Sequence, residues 1–270
     1  TGRAALEIKT LALIDRGLVH EVWIYGDADV PGDVNAAELL ERKPRYDDNR
    51  VRLQNVAMDG CAGNGCFDAE DEFPAACDRT VRVAWVNHSR GPGCFLESLS
   101  HGFESVGSRQ PALVPYLSDL FPAFAGFDLK KKYGLAIESW YACKYEGDCL
   151  SYPSADSVTW DVGKGPQTLS DYDAVCGNVH FTPNGRKHYD LQGTATVLSS
   201  CEGYRQGGGA AGADLKTAFS IGKFGSYGAV GQDCMGPWLV WWWQNMPGPG
   251  TAAKAADGSQ MLSWLPFVYY

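Results

Sequence analysis

VRVAWVNHSRGPGCFLESLSHGFESV, residues Val81 to Val106, is the stretch on which the fold turns. Val81 to Val86 is rich in β-branched and aromatic residues and reads as a strand. Asn87 to Gly93 (NHSRGPG) is a loop by its glycines and proline. From Phe95 to Val106 the apolar residues Phe95, Leu96, Leu99, Phe103 and Val106 fall on one side of a helix at roughly 100° per residue. Glu97, His101 and Glu104 lie within about 60° of one another on the opposite side. Strand, loop and helix in that order predict α/β layering, and the polar helix face is a site with metal-ligand or acid–base spacing.

Upstream, Ala4 to Arg16 has the pattern of a helix ended at Gly17, and Val19 to Tyr25 that of a strand apolar on both faces. If the two strands are neighbours, the loops leaving them bring Asp27, Asp29, Asn87 and His88 to one mouth. Downstream, Tyr116 to Phe121 reads as a helical turn closed by Pro122. Leu135 to Ala142, with Glu138 inside it, fits a strand or a helix. Gln206 to Gly212 (QGGGAAG) is a flexible loop. Gly236 to Met246 is a helix between Pro237 and Pro247, with Trp238, Trp241 and Trp242 on one side. No repeat or linker interrupts the chain. The expectation is one catalytic-type domain over residues 1–270, of α/β class with mixed α+β as the alternative, built as a layered sheet with helices, loop-rich and stapled by disulfides.

A net charge of -9 over 270 residues, with Lys130 to Lys132 the sole basic run, excludes nucleic acid and anionic membrane surfaces as partners. No apolar stretch reaches the ~20 residues of a membrane span. Nine cysteines point to disulfides and so to secretion. A mature chain whose leader has been removed fits the lack of a signal peptide. Cys61 with Cys66 and Cys143 with Cys149 are the local pairs; Cys77 with Cys94 and Cys176 with Cys201 tie distant elements. Cys234 is left over as a buried free thiol. Zinc at Cys61 and Cys66 is the weaker reading, because no second Cys/His pair lies nearby.

Residues one turn apart on a helix reach a common point, so Glu97 and His101 can share a cation, as can His101 and Glu104. The outer carboxylates are ~10 Å apart along the axis, so one of them, expected to be Glu104, acts behind the ligand or as a base. The bland alternative is a solvated helix face. A further ligand has to come from elsewhere. His180, in CGNVHFTPNG (Cys176 to Gly185), is the first choice and His88 the second. His188 reads as an exposed loop residue, and Asp190 as a turn cap. Asp27, Asn87, Trp140 and Asn184 are candidates for holding substrate, since flat rings stack on sugars and carboxylates and amides bind hydroxyls. The nucleophile elbow, the phosphate loop and H-E-x-x-H are all missing from the sequence.

Glu21 to Gly26 (EVWIYG), Glu97 to Glu104 (ESLSHGFE) and Gly177 to Asn184 (GNVHFTPN) resemble motifs of a largely uncharacterised family of secreted bacterial and fungal proteins. In that family histidine commonly stands where this chain has Glu97. The resemblance draws attention to His101, Glu104 and His180 and attaches no activity.

The expected function is a secreted hydrolase of an extracellular polymer, polysaccharide or peptide. In one version His101, His180 and Glu97 or Glu104 hold zinc or another divalent cation, with Glu104, Glu97 and His88 as the catalytic candidates. In a metal-free version Glu104 and a second carboxylate, Glu138 or Asp27, act as acid and base on a glycosidic bond. The alternative is a non-catalytic module that binds carbohydrate or calcium.

Overall fold

The computed structural model describes residues 13, 16–19, 21–26, 50–51, 82–87, 92–104, 115–134, 147–161, 165–231 and 233–265. The chain divides into two compact units, residues 1–106 with 266–270, and residues 107–265.

In the first unit β1 (Glu21–Gly26), β2 (Arg50–Val51) and β3 (Arg82–Asn87) form a sheet in the order β1-β3-β2. β1 and β3 run parallel in register, from Glu21 opposite Arg82 to Gly26 opposite Asn87, and β2 is antiparallel to β3. The two expected strands are therefore neighbours, and their ends coincide. The helix α1 (Pro92–Glu104) follows within five residues and packs beside β3. It starts earlier than Phe95 because Pro92 is welcome in a first helical turn, where its missing N–H has no partner to lose. Cys94, Leu99 and Phe103 form its buried face.

The second unit combines short helices with antiparallel sheets. A 3-10 turn (Pro115–Leu117) leads into α2 (Leu120–Ala125) and α3 (Leu129–Tyr133). Pro122 does not close a helix; it lies in the first turn of α2, for the same reason that Pro92 opens α1. β4 (Leu150–Ser151), β5 (Val158–Trp160) and β6 (Gln167–Leu169) form one antiparallel sheet, and β7 (Val197–Gly203) with β8 (Leu215–Phe219) another. Gln206 to Gly212 lies in the connection between β7 and β8. The Trp-rich segment forms α4 (Gly236–Gln244), with Pro237 near its start. Trp238 and Trp242 are fully buried, and Trp238 stacks on Trp241 with centroids 5.5 Å apart. Phe121 and Phe124 of α2 meet Trp242 and Trp264 edge-on or tilted, giving this unit an aromatic core.

The class is thus mixed α+β, loop-rich and disulfide-bonded. Cys176 pairs with Cys201, as expected, fastening a long irregular segment to β7. Cys94, Cys149 and Cys234 are also disulfide-bonded. Cys234 is therefore not a free thiol; the expectation failed because an odd cysteine count does not say which one is left over. Among the described residues no helix is long and apolar enough to cross a membrane.

Candidate metal centre

α1 carries Glu97, His101 and Glu104 as the sequence periodicity requires, and all three are withdrawn from solvent. Glu97 and Glu104 are each 7 % exposed, and the His101 side chain 14 %. A solvated face would leave such residues largely exposed. The two ring nitrogens of His101 are used differently. Nδ1 lies 3.1 Å from Glu104 Oε2, a hydrogen bond, whereas Nε2 lies 3.7 Å from Glu97 Oε1. The second distance exceeds a good N–H···O bond of about 2.7–3.2 Å. It is close to the roughly 3.4 Å that separates two ligand atoms sharing a tetrahedral ion at about 2.1 Å each.

Glu97 with His101 is therefore a candidate group for holding a cation, and Glu104 has the place of the carboxylate that grips a ligating imidazole from behind. Once the ring is neutral, the Glu104 hydrogen bond to Nδ1 would leave the lone pair on Nε2, the nitrogen nearer Glu97. Burial by itself lowers the pKa of His101. The hydrogen bonds and charges of Glu104 and Glu97 outweigh that effect and raise it from 6.5 to about 9. At neutral pH the metal-free ring is thus an imidazolium. With both carboxylates ionised and the ring neutral, the group would carry two buried negative charges, which a divalent cation would cancel as a proton does in part.

In the second unit, His180 belongs to a segment held at several points. Gly177 has φ +67°, and a Cβ there would sit 2.3 Å from Phe181 O, so a side chain would break the turn. The Asn178 carboxamide oxygen accepts from the backbone N–H of His180 at 3.0 Å and of Phe181 at 3.2 Å. The indoles of Trp238 and Trp242 in α4 donate to the carbonyls of Asn178 and Gly177 at 3.0 and 3.2 Å. The aromatic helix thus positions this segment. His180 also lies 3.0 Å from the hydroxyl of Tyr189 through Nε2.

Other expectations change here. His188 is buried, not exposed, with its ring edge-on to Phe181 at 4.7 Å; packing overrides its polar neighbours Lys187 and Arg186. Asn184 is fully buried, and its amide donates to Gly193 O and Ala195 O at 2.7 and 2.8 Å, so it holds a loop together and offers nothing to a substrate. Asp190 accepts from the Arg186 side chain at 2.7 and 3.0 Å and from the backbone of Arg186 and Gln192, the expected turn role. Asp27, Asp29, His88, Glu138 and Trp140 lie outside the described residues. Asn87 is the last residue of β3, level with Gly26. Cys94 and Cys234 offer no thiolate to a metal, because both sulfurs are in disulfides. The residue that sequence reasoning passed over is Tyr189, which meets His180 through a backbone reversal that the sequence does not signal.

No family model, curated protein or solved structure matches this chain.

Proposed function

We propose that this protein is a secreted, metal-dependent hydrolase of an extracellular polymer, with a zinc-like cation held by His101 Nε2 and Glu97. The observation that carries the reading is the unequal use of the His101 ring in a buried carboxylate–imidazole–carboxylate row. Glu104 holds Nδ1–H and fixes the tautomer; it is turned away from the Nε2 side and so orients the ligand instead of serving as the base. With Glu97 and His101 Nε2 as ligands, a zinc-like cation would supply a bound water whose pKa falls to about 7. Such a water would be suited to attack at a carbonyl carbon, which favours peptide or ester bonds of the polymer over glycosidic ones. Imidazole as a ligand supports a zinc-like ion over calcium, which takes oxygen donors. Disulfides support an extracellular location.

The deciding experiment combines metal analysis of the purified protein, zinc titration, and assays on peptide, ester and polysaccharide polymers with and without chelator. The expected result is one zinc per chain, activity lost on chelation and restored by zinc, and binding weakened at least about 100-fold in His101→Ala. Zinc binding unchanged in His101→Ala, or activity indifferent to chelation, would overturn the reading. Activity that survives chelation but disappears in Glu97→Gln would instead favour metal-free acid–base chemistry.

A further inference from the structure

We draw no further inference here: the strongest candidate, the largely apolar cavity that Leu129, Leu150, Tyr152, Tyr172, Val175 and Phe181 line in the second unit, has room for about two waters in its volume of about 30 Å³, and nothing in the structure shows what would fill it.

Discussion

Glu104→Gln removes the charge that lies 3.1 Å from His101 Nδ1 while keeping a hydrogen-bond acceptor of the same shape. In the wild-type protein the folded His101 pKa is about 9 against 6.5 for the free side chain, with desolvation opposing and Glu104 and Glu97 raising it. A pKa raised on folding contributes stability that is fully present below 6.5 and lost as the pH climbs through 9. At about 1.4 kcal/mol per pH unit this amounts to about 3 kcal/mol for the metal-free protein. Urea denaturation of chelator-treated protein at pH 6, 7, 8 and 9 should show the stability falling across that window, net of other titrating groups. NMR titration of the His101 ring should place its midpoint near 9. In Glu104→Gln the midpoint should move well toward 6.5 and the fall in stability should shrink accordingly. A wild-type midpoint near 6.5, unchanged in Glu104→Gln, would refute the carboxylate–imidazole–carboxylate account.

Asn184→Ala should cost about 1–3 kcal/mol by urea denaturation, because it strands the buried carbonyl of Gly193 and the half-buried one of Ala195 that its amide now satisfies; a neutral result would return Asn184 to the list of ligand-binding candidates. The Asp190 carboxyl resists desolvation through its bonds to Arg186 and Gln192 and is held below 3.8, so it adds stability above that value that is lost as the pH falls through its folded pKa. Asp190→Asn should lower stability at pH 7 by about 2 kcal/mol and flatten this acid limb. Replacing Cys176 and Cys201 together by serine should cost about 2–4 kcal/mol, read as a lower melting temperature.

The helix α1 was legible because its apolar and polar residues obey one period, and Glu97, His101 and Glu104 needed nothing but that period to meet. β1 and β3 were legible from composition, although their parallel pairing came from the structure alone. Boundaries moved where proline was read as foreign to a helix: Pro92 as part of a loop and Pro122 as a terminator, whereas both sit in first turns, where the same ring initiates. The His180 segment looked unusual in sequence because it is a dense Asn and Gly turn roofed by tryptophan indoles. Its contact with Tyr189 was hidden, because a positive φ at a non-glycine residue leaves no mark in the sequence. His188 and Asn184 were misjudged for a related reason, since a polar side chain is buried when the surrounding backbone supplies its partners or its ring packs, and neither condition is local.

Zinc titration of the metal-free protein at pH values from 6 to 10, with His101→Ala alongside, tests the central claim most directly. Because His101 holds a proton up to about pH 9, a metal on Nε2 must displace it. Apparent affinity should therefore rise about tenfold per pH unit from 6.5 to 9, beyond whatever other ligands contribute, and the His101-dependent rise should level off above 9. No saturable binding, or the same affinity and pH dependence in His101→Ala, would contradict a cation on this helix face.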